Sequence, residues 1–117
     1  MDERGTIVLV SGTPARRVKP GQVAAGICGR SRGSLLSRRG PELSPRRINV
    51  VSPGIIDTPM FGNDLDRRQR LLAEATATHP ILRPGTADEV AVAILFVIKN
   101  DFVTGTTVDV DGGWLLS

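Results

Sequence analysis

The stretch Arg47-Ile48-Asn49-Val50-Val51-Ser52-Pro53-Gly54 constrains this chain most: a short, largely β-branched run stops abruptly at Pro-Gly and a polar loop follows. Such a run, bounded by turn formers, reads as a strand covered on both faces, which is the condition of a strand inside a parallel α/β sheet. Pro53 has no N–H to give a ladder, so pairing is expected to end there. Gly54, lacking a Cβ, lets the backbone approach a neighbour closely. In open α/β sheets, ligands occupy the space beyond the carboxyl ends of the strands, so residues 54–58 are the first candidate for a ligand-facing turn. The alternative is a plain strand-ending turn.

Two further runs fit the same sheet. Thr6-Ile7-Val8-Leu9-Val10, led by Gly5 and closed by Ser11-Gly12-Thr13-Pro14, is a second buried strand, and Thr106 to Val110 is a third, turned out by Asp111-Gly112-Gly113. Between the second and third comes Thr86-Ala87-Asp88-Glu89, a capping box that opens a helix from Ala87 to about Lys99. That helix is apolar nearly all round, from Val90 to Ile98, so it needs cover from the sheet on one side and from another body on the other. An amphipathic helix is expected over residues 67–78, with Leu71, Leu72 and Ala75 inward. The expected architecture is α/β: about three parallel strands in sequential order, with helices crossing right-handedly between them. Trp114, Leu115 and Leu116 are left to dock at the surface or on a partner.

Composition limits the alternatives. A chain of 117 residues makes one small domain, able to bury about 60–70% of its unfolded surface. No run of about 18 apolar residues suggests a membrane span, the first residues lack a signal-peptide pattern, and one cysteine makes no internal disulfide. Cytoplasm is the expected compartment. Arg16, Arg17, Lys19, Arg30, Arg32, Arg38, Arg39, Arg46 and Arg47 are opposed over that stretch only by Glu42. A basic cluster of this kind is the electrostatic footprint of nucleic-acid binding, but no stacking aromatics are interleaved and no recognition motif is present, so a solvated surface is the preferred reading. His79, the only histidine, precedes Pro80 and reads as a helix end rather than a catalytic base, and no His/Cys/carboxylate cluster has metal-ligand spacing.

Asn49-Val50-Val51-Ser52-Pro53-Gly54-Ile55-Ile56-Asp57-Thr58-Pro59 resembles the end of the sixth strand of the short-chain dehydrogenase/reductases. Arg83-Pro84-Gly85-Thr86-Ala87-Asp88-Glu89-Val90-Ala91 and Phe102-Val103-Thr104-Gly105-Thr106-Thr107-Val108-Asp109-Val110-Asp111-Gly112-Gly113 resemble the same family's last helix and last strand, in the same order. From Gly5 to Trp114 the chain follows the family's second half, and the first half is absent. The resemblance implies a partial Rossmann-type, doubly wound sheet, with residues 1–117 as one partial NAD(P)-binding domain. It further implies an NAD(P)-dependent oxidoreductase of a small carbonyl or alcohol. On the cofactor side it implies that Pro53 and Gly54 shape the turn, that the backbone of Ile56 meets the nicotinamide carboxamide, and that Thr58 adds a hydroxyl.

The same resemblance locates what is missing. The family's catalytic serine slot falls on Gly12, with Ser11 one residue early and readable as a turn serine bonding local backbone. Its Tyr-x-x-x-Lys pair, one helical turn apart so that both share a face, falls on Ala25 and Gly29. The chain has no tyrosine, and its only lysines are Lys19 and Lys99. No residue is therefore assigned a catalytic role; Cys28, beside the lysine slot and without a nearby histidine, reads as a small buried thiol. The helix that carries these slots, with Ile27, Leu35, Leu36 and Leu43 on one apolar face, is weakened by Gly26, Gly29, Gly33 and Gly40, each costing roughly 0.5–1 kcal/mol against alanine. No G-x-G-x-x-G pyrophosphate turn occurs in these residues. The expectation is a truncated, catalytically impaired member of the family, with a non-catalytic dimerising or regulatory module as the alternative. Homo-oligomerisation, or association with a homologous chain, is expected to cover the apolar helix and the open edge of the first strand.

Overall fold

The computed structural model describes residues 4–12 and 44–117. Three strands, β1 (Thr6–Val10), β2 (Arg47–Pro53) and β3 (Thr107–Val110), form a parallel sheet in the order β1-β2-β3, as the sequence implies. Thr6 stands opposite Arg47 and Val10 opposite Val51, while Val50 stands opposite Thr107 and Pro53 opposite Val110. β2, paired on both edges, is the core: Ile48, Val50 and Val51 are almost wholly enclosed, each removal from water contributing about 1.5–3 kcal/mol. Pro53 ends the strand as expected, and Gly54 N–H makes one last bond to the Val110 carbonyl at 2.9 Å.

β3 begins one residue later than the apolar run suggests, because the Thr106 N–H is taken by the Asn49 side chain, at 3.2 Å from Oδ1. Asn49 is fully buried, and its Nδ2 donates to the Val103 carbonyl at 3.0 Å, so both ends of the amide are satisfied. Ile48 N–H reaches Thr104 Oγ1 at 3.2 Å, and Gly105 N–H reaches the Ile48 carbonyl at 2.8 Å. This polar stitching seats the loop before β3.

Two helices lie between β2 and β3. α1 (Leu65–Ala75) starts and stops earlier than expected, because Asp64 caps it by accepting from Arg67 N–H at 3.2 Å and Thr76 closes it by donating Oγ1–H to the Leu72 carbonyl at 2.9 Å. Its inward stripe is also narrower than expected: Leu72 and Thr76 are buried, whereas Leu71 and Ala75 are exposed. α2 (Ala87–Lys99) has the predicted limits and the predicted capping box, with Glu89 N–H donating to Thr86 Oγ1 at 3.2 Å and Thr86 N–H donating to Glu89 Oε1 at 3.0 Å.

At its other end α2 is held by a residue fifty positions away in the chain. Arg47 Nη1 donates to the carbonyls of Val97, Asn100 and Val103 at 2.6, 3.0 and 3.0 Å, and Nη2 donates to that of Ile98 at 2.7 Å. The Val97 and Ile98 carbonyls are among those that a helix terminus leaves without intrahelical partners, and a guanidinium also complements the negative end of the helix dipole. α2 touches all three strands. Val90, Ala93, Ile94 and Val97 face inward, while Val92, Leu95, Phe96 and Ile98 are exposed. No helix among the described residues is long and apolar enough to cross a membrane.

Candidate functional site

Beyond the carboxyl end of β2 the backbone is drawn into a narrow path. A Cβ on Gly54 would lie 2.8 Å from both Cα and Cβ of Asp111, so only glycine lets the end of β2 pass the end of β3. The next residues are pinned from the other side by a loop: Gly85 N–H donates to the Ile55 carbonyl and Asp57 N–H donates to the Gly85 carbonyl, both at 2.9 Å. This is a single parallel bridge centred on Ile56 and Gly85. In that pattern Ile55 and Asp57 spend their groups on the loop, and the N–H and C=O of Ile56 point the opposite way. Neither group makes a hydrogen bond among the described residues.

A cavity of 410 Å³ opens on this path, lined by Ser11 and Gly12 after β1, by Pro53, Gly54, Ile56 and Thr58, and by Met60, Phe61, Ala87 and Val90. All four residues expected at a cofactor site, Pro53, Gly54, Ile56 and Thr58, therefore share one pocket. Ser11 and Gly12, the positions that follow β1, line the same pocket, although Ser11 was expected to be a turn serine facing local backbone. Four wall residues were not singled out by sequence: Met60 and Phe61 lie on the single 3-10 turn Pro59–Phe61, and Ala87 and Val90 lie on the first turns of α2. No spacing in the sequence marks Ala87 and Val90, since they meet the turn only because α2 docks across the sheet.

The wall is apolar, with the Ser11 and Thr58 hydroxyls as its polar side chains. A wall of this kind suits a flat, largely apolar group that carries an amide able to pair with a backbone N–H and C=O. The nicotinamide end of a dinucleotide is such a group. Ala25 and Gly29, at the family's tyrosine and lysine slots, and Cys28 beside the latter lie outside the described residues.

Other candidates fall elsewhere. His79 is outside the pocket, 3% exposed and stacked on Trp114 with ring centroids 5.5 Å apart, in keeping with a structural histidine after a helix end. Trp114, expected at the surface or on a partner, turns inward and is buried by this stack, while Leu116 is 84% exposed. No group of three or more metal-ligating side chains occurs among the described residues. At the mouth of α2, Arg83 forks both carboxylate oxygens of Glu89 at 2.8 and 3.0 Å. That bond, with help from the Thr86 N–H, holds the Glu89 carboxyl down at about 2, and the same partner raises the Arg83 guanidinium.

Comparison with known proteins agrees with this geometry. The family model described as enoyl-(acyl carrier protein) reductase matches residues 1–115. The chain is 34% identical over 113 residues to the short-chain dehydrogenase/reductase malC of Malbranchea aurantiaca, covering 92% of this chain and 41% of that protein. It is 32% identical over 118 residues to the glucose 1-dehydrogenase of Gluconobacter oxydans, covering 97% and 44%. A solved small-chain dehydrogenase in complex with NADPH superposes with a TM-score of 0.90 at 32% identity, over 100% of this chain and 54% of that one. The chain thus spans less than half the length of these two curated relatives. With the parallel sheet, the Pro-Gly turn and the capped last helix all in the matching order, the chain belongs to the short-chain dehydrogenase/reductase family.

Proposed function

We propose that residues 1–117 form a single partial NAD(P)-binding Rossmann-like domain and that the pocket at residues 53–58 receives the nicotinamide end of NAD or NADP. The observation that carries this reading is the open backbone N–H and C=O of Ile56 on the wall of an otherwise apolar cavity. Pro53 and Gly54 shape the turn, Ile56 binds the carboxamide, and the Thr58 hydroxyl adds a further contact. When bound, the reduced cofactor would supply a hydride to a small carbonyl, and the oxidised cofactor would accept one from a small alcohol. The NADPH held by the similar small-chain dehydrogenase supports the choice of ligand. Proton transfer is the weak step, since the positions that would carry the family's tyrosine and lysine are Ala25 and Gly29. The chain is therefore an oxidoreductase by family with impaired turnover of its own.

Titration with NADH and NADPH, followed by nucleotide fluorescence, tests this reading. Saturable binding without measurable carbonyl reduction is the expected result, and absence of binding to either nucleotide would overturn it. A second reading, a non-catalytic module that associates with itself or with a homologous chain, is favoured by the outward apolar face of α2, where Val92 is 66% and Phe96 48% exposed. Co-purification with an intact homologue, together with no nucleotide binding, would select it. A cytoplasmic setting suits either role.

A further inference from the structure

The outer wall of the pocket, Thr58, Met60 and Phe61, sits on a short turn whose two ends are held by one side chain. Arg68, on the first turns of α1, places Nε 3.0 Å from Asp57 Oδ1 and donates from Nη1 to the Gly62 carbonyl at 3.3 Å. Asp57 comes immediately before the turn, and its N–H is anchored to Gly85 on the opposite side. Gly62 comes immediately after it, with φ 103° and ψ 167°, a conformation essentially restricted to glycine. Nothing lies within 4 Å of where a Gly62 Cβ would stand, so glycine is needed for the backbone conformation and not for space. Within the turn, Phe61 N–H donates to the Thr58 carbonyl at 3.1 Å and Gly62 N–H to that of Pro59 at 3.0 Å.

We propose that Arg68 is a positioning residue that holds the 58–61 turn over the pocket mouth by bridging Asp57 and Gly62. The proposal rests on the reading that this pocket takes the nicotinamide end of the cofactor. A guanidinium can serve both acceptors because its donors are fixed in one planar fork, whereas a lysine ammonium is a compact point charge. The Arg68 side chain is 20% and the Asp57 side chain 41% exposed, so the pair is partly open to solvent, adds little to global stability and is partly screened by salt. The brace therefore acts on the turn and leaves the sheet beneath it unaffected. It also makes the order of the pocket mouth sensitive to ionic strength.

Amide hydrogen exchange on the whole chain, wild type against Arg68→Ala and Arg68→Lys, tests this. In Arg68→Ala the Phe61 and Gly62 amides are expected to exchange about fivefold faster. The Val50 amide, bonded to the Thr106 carbonyl in the sheet, serves as the internal reference and keeps its rate. Arg68→Lys keeps the Asp57 partner and loses the second arm, so it falls between the two. High salt moves wild type toward Arg68→Ala and leaves Arg68→Ala where it is. Unchanged Phe61 and Gly62 rates, or equal acceleration of Val50, would overturn the proposal. NADPH titration of the same proteins separates the two readings. If wild type binds, Arg68→Ala must weaken binding by a similar factor, and unchanged affinity overturns the positioning role. If wild type does not bind, the cofactor reading fails, and the exchange comparison alone decides whether Arg68 orders the turn.

Discussion

At the scale of single residues, Gly54 and Glu89 carry the sharpest expectations. An alanine at Gly54 would push its Cβ against backbone and side chain of Asp111 at 2.8 Å, so the ends of β2 and β3 must part. Overpacking of this kind costs about 1–3 kcal/mol, and thermal denaturation of Gly54→Ala should show a lower Tm with the sheet otherwise intact. The Glu89 side chain is 44% exposed, yet its carboxyl is lowered from 4.5 to about 2 by the Arg83 bond first and the Thr86 N–H second. A depressed carboxyl contributes stability that is fully present above its unfolded value and is lost as pH falls through the folded one. The contact should therefore persist from neutrality to below pH 4.5 and disappear around pH 2. A carboxyl NMR titration of Glu89 should find its midpoint near the lower value, and Arg83→Ala should move it upward; a midpoint that does not respond to Arg83 would contradict this account. The Gly54 turn and the Thr86–Glu89 box were both legible in the sequence, because each depends on residues within a few positions of one another. Arg83 was not, since nothing in its spacing says which way a guanidinium six residues upstream will reach.

At the scale of elements, the order and parallel pairing of the strands followed from three apolar runs closed by turn residues, and α2 followed from its capping box. α1 was misplaced by two or three residues because Asp64 and Thr76, polar residues of no distinctive periodicity, decide where it starts and stops. The two faces of α2 are a different matter. Its composition called for two covers, and among the described residues the structure supplies one, the sheet, through Val90, Ala93, Ile94 and Val97. The outer face, Val92, Leu95 and Phe96, is left exposed among apolar neighbours. If a second chain covers it, Val92→Glu and Phe96→Glu should reduce the sedimenting mass in ultracentrifugation while leaving the Tm within a degree or two, as exposed substitutions usually do. An unchanged sedimenting mass would place the second cover elsewhere.

At the scale of the molecule, β1 pairs with β2 on one edge only among the described residues, and Val10 is 46% exposed at its end. β1 is the outermost described strand of the sheet, and the chain spans 54% of the NADPH-bound dehydrogenase it superposes on. What the sequence by itself determined is the class of fold, the order of its strands and the identity of the turn after β2, because hydrophobic runs, Pro-Gly punctuation and caps act locally and need no partner to be read. What only the tertiary structure decided is the pocket. Ala87 and Val90 reach the wall beside Ile56 from a helix whose far end and following loop Arg47 and Asn49 tie to β2, across more than fifty residues of chain. Contacts made by folding distant segments together leave no periodic trace in the segments themselves, so the wall of the site, and the Arg68 brace across its mouth, could be seen only once the chain had closed.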